Sequence, residues 1–215
     1  MTEIELKYRI SNIPPELSLL NITDKIIEID NYFDTNDYLF IKNGNFFRIR
    51  NDKWIVFKLG DECHGTCDEI SFLKNDIVSD NTEFINVFRN LGIHINTQFT
   101  GFNEFIMKNK FRLIGLITKE RCIYKLDNDI TITVDNVDGL GRFIEIEMML
   151  VEKPGLDKQM EIKNNLLQIL KNRNFYDDSF FEINVGYVEL YLKENNSEIY
   201  ELGKFKCDKA RNAIV

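Results

Sequence analysis

Proline is scarce in this chain, with three in 215 residues, and glycine numbers only eleven. Flexible tethers are rich in Gly, Ser and Pro, so the scarcity argues for one domain without repeats. Histidine is scarcer still. Only His64 and His94 occur, which speaks against a His-based acid–base mechanism. No apolar run approaches the roughly 20 residues that a membrane helix needs. The N-terminus is charged from Glu3 onward, unlike a signal peptide, and a cytoplasmic location without a membrane partner is expected. Cysteine is limited to Cys63, Cys67, Cys122 and Cys207, which such a compartment keeps as free thiols. Cys63, His64 and Cys67 lie close together, but structural zinc usually draws on two close-spaced pairs. The other two cysteines are far apart, so zinc is not expected. Basic residues are also short, 27 against 35 acidic, for a net charge of −8. A broad nucleic-acid footprint needs a basic surface and is not expected. A small anionic ligand requires that the cations be concentrated locally.

What the chain does have is alternation. In "MTEIELKYRI", Glu3, Glu5, Lys7 and Arg9 alternate with Ile4, Leu6, Tyr8 and Ile10, which is strand spacing with one charged face. "KIIEIDNYFD", "NFFRIRNDKWIVFKLG" and "TCDEISFLK" supply further strands, the second stretch being two strands joined at Asn51-Asp52. "LITKERCIYKL", "DITITVDNV" and "RFIEIEMMLVE" add three more, with "DNVDGLG" as the turn between the last two. "SNIPPELSLL" reads as a helix start with proline in its first turn. "SDNTEFINVFRNLG" reads as a helix capped by Asp80, with Phe84, Val87, Phe88 and Leu91 on one face and Gly92 ending it. "PGLDKQMEIKNNLLQILKNRNF" reads as an amphipathic helix through Leu156, Met160, Leu167 and Leu170. A last helix is expected over about 179–193. The stretch 93–116 is ambiguous, and "FTGFNEFIMKNKFRLIG" within it suggests an elaborated loop at a site mouth. The domain is expected over 1–195, with a loosely held tail at 196–215. The class is α+β with an antiparallel sheet.

Parity groups the charges. Arg48 shares a face with Arg50, Lys119 with Arg121, Glu145 with Glu147, and Asp135 with Thr131 and Thr133, while Lys58 shares one with Trp54 and Val56. A solvated sheet face is common, but it usually mixes signs, and here acids and bases are segregated by strand. If the helices cover the apolar faces, the charged faces turn inward and the sheet curls into a barrel with a polar lumen. Such a lumen has to be nearly balanced, because an unpaired buried charge is costly. Lys7, Arg48, Arg50, Lys58, Lys119 and Arg121 stand against Glu3, Glu5, Asp135, Glu145 and Glu147. Clustered carboxylates without histidine suit a hard cation, Mg2+ or Mn2+. With that cation bound, the lumen becomes positive and suits a polyphosphate held by Arg forks and Lys point charges.

These residues have a family likeness. "EIELK" resembles the Glu-x-Glu-x-Lys signature of the CYTH family, the triphosphate tunnel metalloenzymes. "NYFDT", "FFRIR", "VFK", "KER" and "ITVDNVDGLGRFIEIE" resemble that family's later stretches in the same order, and "VGYVELYL" its C-terminal helix. The likeness runs from about Glu3 to Leu192. It implies a closed, eight-stranded antiparallel β-barrel, the triphosphate tunnel, with flanking helices. Carried over residue by residue, it implies metal ligation by Glu3, Glu5, Glu145 and Glu147 with Asp135 nearby. It also implies triphosphate binding by Lys7, Arg48, Arg50, Lys58, Lys119 and Arg121, and catalysis centred on Glu3, Glu5, Lys7, Asp135 and Glu147. The expected activity is metal-dependent hydrolysis of inorganic triphosphate, thiamine triphosphate or a nucleoside triphosphate. The alternative is a class IV adenylate cyclase. A polyphosphate- or nucleotide-binding module without turnover is a third reading. The small-molecule substrate is the expected partner, and the protein could be a monomer or a homodimer.

Other residues are expected to be structural. Trp54 is read as wall packing, Asp34 and Asp37 as turn residues, Asp68 and Glu69 as surface charge, Arg9 as a solvated strand end, Arg142 as a turn residue and Tyr187 as a helix anchor.

Overall fold

The computed structural model describes residues 2–60, 67–127, 129–152 and 154–204. Nine strands form one antiparallel sheet: β1 (Thr2–Ile10), β2 (Asp24–Asp34), β3 (Asn45–Arg50), β4 (Trp54–Gly60), β5 (Cys67–Leu73), β6 (Arg112–Asp127), β7 (Ile130–Val137), β8 (Gly141–Leu150) and β9 (Phe181–Glu182). They lie in the order β5-β4-β3-β2-β6-β7-β8-β1-β9, and β5 also meets β1. That last contact is one pair, Thr2 opposite Asp68. The expected closed eight-stranded barrel is therefore corrected. Among the described residues the sheet has nine strands, and β5 touches β1 at a single position without a continuous ladder. The expectations for Cys63, His64 and Cys207 lie outside the described residues.

The alternation in the sequence explains the layering. Ile4, Leu6, Tyr8 and Ile10 of β1, Ile132 and Val134 of β7, and Ile144 and Ile146 of β8 form one buried cluster with Ile162, Leu166 and Leu170 of α4 (Leu156–Asn172). That buried stripe corrects the expected one, since Met160 is 65% exposed. A second cluster packs Phe47, Ile49, Ile55 and Phe57 of β3 and β4 against Phe84 and Phe88 of α2 (Thr82–Asn90) and Phe102 and Phe105 of α3 (Phe102–Lys108). The stretch expected as a mouth loop is thus part of an aromatic outer layer. Its phenylalanines find more buried area on the sheet than a loop would offer. Asn81, one residue after the expected Asp80, caps α2 by accepting from the Phe84 amide at 3.0 Å.

A buried carboxylate shapes one end of the sheet. Asp34 is fully buried and accepts from the amides of Thr35, Phe40 and Ile41, which fixes the start of α1 (Leu39–Lys42). It is more than an exposed turn residue. At the β3–β4 hairpin, Asn51 and Asp52 both take positive φ, 52° and 51°, the conformation that tight hairpins require and that Asn and Asp tolerate. The expected helix at 179–193 resolves into β9, α5 (Tyr187–Asn195) and α6 (Ser197–Leu202). Tyr187, Val188, Leu190 and Leu192 of α5 and Ile199 of α6 pack with Tyr32, Ile117, Val137 and Phe143. Those four belong to the sheet face that carries the charges, so α5 covers one end of that face.

Candidate active site

Strand register brings the charged residues together. Glu5 lies opposite Glu147 and Lys7 opposite Glu145 across β1 and β8. Arg121 lies opposite Asp135 across β6 and β7. Glu28 lies opposite Lys119, and Asp30 opposite Arg50. Directly opposed residues share a face, so all eleven expected site residues occupy the inner face of the curled sheet. Lys7, Arg48, Lys119, Asp135 and Glu145 are buried, the last two almost completely.

The side chains form one connected ion network. Asp135, at 0% exposure, accepts from Arg121 Nε at 2.7 Å and Nη2 at 2.6 Å in a bidentate fork, and from the Tyr187 hydroxyl at 2.8 Å. Lys119 Nζ stands 3.4 Å from Asp135 and 2.9 Å from Glu28. Glu145 receives Arg121 at 2.6 Å and Lys7 at 3.0 Å, and Lys7 also reaches Glu5 at 3.0 Å. On the other side, Arg50 donates to Asp30 through Nε and Nη2, at 2.8 and 2.9 Å, and pairs with Glu28 through Nη1 at 3.0 Å. Arg48 donates to Asp30 and Tyr32, and Glu69 sits 3.6 Å from Arg48 and 3.7 Å from Lys58. The Arg48 Nε is buried without a hydrogen-bond partner, a donor left over for an incoming acceptor.

Three acids of this network were missed as site residues in the sequence. Glu28 and Asp30, both buried, hold Arg48, Arg50 and Lys119, while Glu69 leans over Arg48 and Lys58. Parity in "EIDNY" would have found the first two, since Glu28, Asp30 and Tyr32 alternate as the other inner residues do. With these three included, six cations face eight carboxyl groups, so by formal count the inner face holds two more acids than bases. Tyr187 also does more than anchor α5. Its ring lies 4.9 Å from Lys7 Nζ and 5.1 Å from Lys119 Nζ, within cation–π range. Arg9 leaves the network and pairs with Glu194 of α5 at 3.7 Å. Arg142 donates to the Ser11 carbonyl at 3.4 Å, as a turn residue would.

The charges settle unevenly. Burial alone would raise Glu145, but Lys7, Arg121 and Lys119 hold it well below the carboxylate range. Asp30 is likewise held down by Arg50 and Arg48 against its burial. Lys119 is lowered, first by burial and then by Arg121 beside it. Glu147 goes the other way. Burial, and then the neighbouring Glu3, push it up to about 8, while Glu3 is itself raised by burial and by Glu5. Glu189 of α5 is pushed up to about 7 by burial.

A divalent cation fits only part of this arrangement. Among the described residues, no three His, Cys, Asp or Glu side chains converge as a ready metal cage. Glu3 and Glu147 are neighbouring carboxylates, both pushed up by burial and Glu147 also by Glu3, an all-oxygen pair of the kind a hard cation relieves. Glu5 adjoins them and gives one oxygen to Lys7. The oxygens of Asp135 and Glu145 are engaged by Arg121, Lys7, Lys119, Thr133 and Tyr187.

The family model for the CYTH domain matches residues 1–176. The chain belongs to the CYTH family. A relative from Methanocaldococcus jannaschii, named as a candidate adenylate cyclase, is 28% identical over 200 residues, spanning 88% of this CYTH protein and 98% of its own length. Among solved structures, the PH1819 protein from Pyrococcus horikoshii is similar with a TM-score of 0.61 and 25% identity, covering 90% of this chain and 99% of that one. A Hippeastrum protein, described as a candidate adenylyl cyclase with a dominant triphosphatase activity, is similar with a TM-score of 0.60 at 16% identity, over 90% and 94% of the two chains. That last likeness concerns the fold. No helix among the described residues of this CYTH protein is long and apolar enough to cross a membrane.

Proposed function

We propose that this CYTH protein is a cytoplasmic hydrolase that holds the triphosphate of a small molecule on its inner sheet face and cleaves it with Mg2+ or Mn2+. The observation that carries the reading is the set of six cations, Lys7, Arg48, Arg50, Lys58, Lys119 and Arg121, converging on one face from four strands. Arg48 and Arg50 present adjacent guanidinium groups, a geometry that grips phosphate oxygens by paired donors. Arg48 Nε is the donor already desolvated and unmatched. Asp135 and Tyr187 hold Arg121 and Lys119 in place, so these cations are positioned before the ligand arrives.

Glu3 and Glu147, with Glu5 adjoining, would hold the metal. Such an ion supplies charge neutralisation on the phosphate oxygens and a bound water of lowered pKa. The protein's own residues do the rest. Arg50 and Arg48 orient the phosphate chain, and Lys119, Lys7 and Arg121 offset the charge that develops on its oxygens. Incoming phosphate competes with Glu28 and Asp30 for the same donors, so ligand binding exchanges internal ion pairs for external ones.

The deciding experiment is a product assay. Purified protein is incubated with Mg2+ or Mn2+ and, separately, inorganic triphosphate, thiamine triphosphate and ATP. Phosphate release without cyclic nucleotide is the expected result. Cyclic AMP with stoichiometric pyrophosphate would replace the reading with the cyclase that the name of the Methanocaldococcus relative favours. Tight triphosphate binding without any product would point to a binding module. Within the hydrolase reading, Arg50→Ala is expected to raise KM by roughly 10- to 100-fold, since a charge-assisted contact contributes on the order of 1.5–3 kcal/mol. Unchanged steady-state kinetics would remove Arg50 from the phosphate site.

A further inference from the structure

Level with Arg50, at the end of the inner face away from α5, the sheet changes character. Trp54 is the first residue of β4. It lies opposite Arg50 of β3 and Leu73 of β5. Opposed residues share a face, so the indole stands on the same side as the Arg48 and Arg50 guanidinium groups. Both Trp54 and Leu73 are partly open, at 38% and 37% exposure. An apolar pair on the face that carries the phosphate-binding cations, and not on the outer face that packs the core, is out of place as wall packing. Burying it under a helix would have been the ordinary outcome. It is placed instead where whatever extends beyond the phosphates of a bound ligand would come to rest.

The spacing supports that placement. From Lys58 to Trp54 is four residues of one strand, roughly 13 Å, and on the neighbouring strand Arg48 lies opposite Val56 and Arg50 opposite Trp54. An extended triphosphate with one sugar attached occupies a length of this order. Inorganic triphosphate would occupy the cations and carry no ring to set against the Trp54–Leu73 pair.

The chemistry of the rim selects the organic group. Lys53 Nζ already lies over the indole, 5.4 Å from its centroid, and Arg50 stands directly opposite on β3. A cationic thiazolium placed here would face two like charges. A neutral heteroaromatic ring would keep the stacking and lose nothing to repulsion. Resting on the triphosphate reading above, we infer that the Trp54–Leu73 pair is the specificity-determining rim that seats the base of a nucleoside triphosphate.

Trp54 is the chain's only tryptophan, so its emission reports the rim directly and without turnover. The protein is titrated, with Mg2+ present, with the β,γ-imido analogue of ATP, with thiamine triphosphate and with inorganic triphosphate. Fluorescence is followed alongside calorimetric affinity. The expected result is that the nucleotide changes the Trp54 emission and inorganic triphosphate binds without doing so. Trp54→Ala is expected to weaken nucleotide binding by roughly 5- to 100-fold, the range of one base–aromatic stack. It should leave inorganic triphosphate affinity within about twofold, and Trp54→Phe should recover most of the loss. Leu73→Ala, tested in parallel with melting curves, guards against a folding artefact. Inorganic triphosphate and nucleotide binding equally tightly, with emission unchanged by either, would overturn the rim and leave the triphosphate site standing. The same holds if thiamine triphosphate binds best. If none of the three ligands binds, the rim falls together with the triphosphate reading.

Discussion

Replacing Glu147 by Gln should remove metal-dependent turnover and leave the metal-free fold intact. Glu147 is one of the two carboxylates that pair at the open end of the inner face, and a ligand oxygen lost from a hard-cation site is not replaced by an amide of equal donor strength. A fall in kcat of roughly a thousandfold is expected, about 4 kcal/mol at 1.36 kcal/mol per decade, and Glu5→Gln should act in the same direction. Stability gives an independent reading. In the metal-free protein the Glu3–Glu147 pair retains a proton, with Glu147 pushed from 4.5 to about 8. Between those values the folded state binds more protons than the unfolded state. Stability therefore declines as pH rises through this window. Thermal unfolding in EDTA from pH 5 to 9 should show that decline in the wild type and a flatter profile in Glu147→Gln. Added Mg2+ should raise the wild-type Tm more at pH 8 than at pH 6, because the cation competes with the proton. A fully active variant, or a profile as steep as that of the wild type, would reject the pair as the metal-binding element.

Asp135→Asn should be the most destabilising change in the network. Asp135 is wholly buried and receives Arg121 through two bonds, Lys119 and the Tyr187 hydroxyl. Removing its charge takes the shared acceptor from Arg121 and Lys119, which already lie side by side, and leaves them only Glu145 and Glu28. Breaking a buried pair in this way costs about 3–5 kcal/mol. For a chain of this size that corresponds to a fall in Tm of roughly 10 °C. The substitution should also show a rescue that a simple packing defect would not. Inorganic triphosphate brings new negative charge to Arg121 and Lys119, so it should raise the Tm of Asp135→Asn by more than it raises that of the wild type. A loss of under 1 kcal/mol in denaturant, or equal ligand shifts in both proteins, would mean that the two cations are satisfied without Asp135.

The inner face was legible because period-2 alternation is a local property. Ile4, Leu6, Tyr8 and Ile10 had to share a side, and once α4 covered that side Glu3, Glu5 and Lys7 had to take the other. The same parity placed Arg48 with Arg50 and Glu145 with Glu147. Glu28 and Asp30 follow the identical rule, and the alternation of "EIDNY" carries them as plainly as the other strands carry theirs. Tyr187 and Glu189 were beyond reach of any such rule. Their approach to Lys7 depends on where α5 docks, and that is decided by contacts with segments distant in sequence, from Phe143 on β8 back to Tyr32 on β2. The same long-range packing drew Phe99, Phe102 and Phe105 onto the outer surface, where the sequence alone suggested a loop. Sheet closure was equally non-local. It rests on whether β5 and β1 find each other, and in the described residues they do so only at Thr2 and Asp68.

The docking of α5 against Tyr32, Ile117, Val137 and Phe143 gives the proposed site a direction of traffic. With that end filled by apolar side chains, ligands would enter and leave from the Trp54 side rather than past α5. Fragments then depart in the reverse of their depth. The piece nearest α5 waits for the piece nearest the rim, and fresh substrate cannot push the residue out from behind. A hydrolase of this shape would process one short chain per opening instead of threading a long one. The fragment released last would act as a competitive inhibitor.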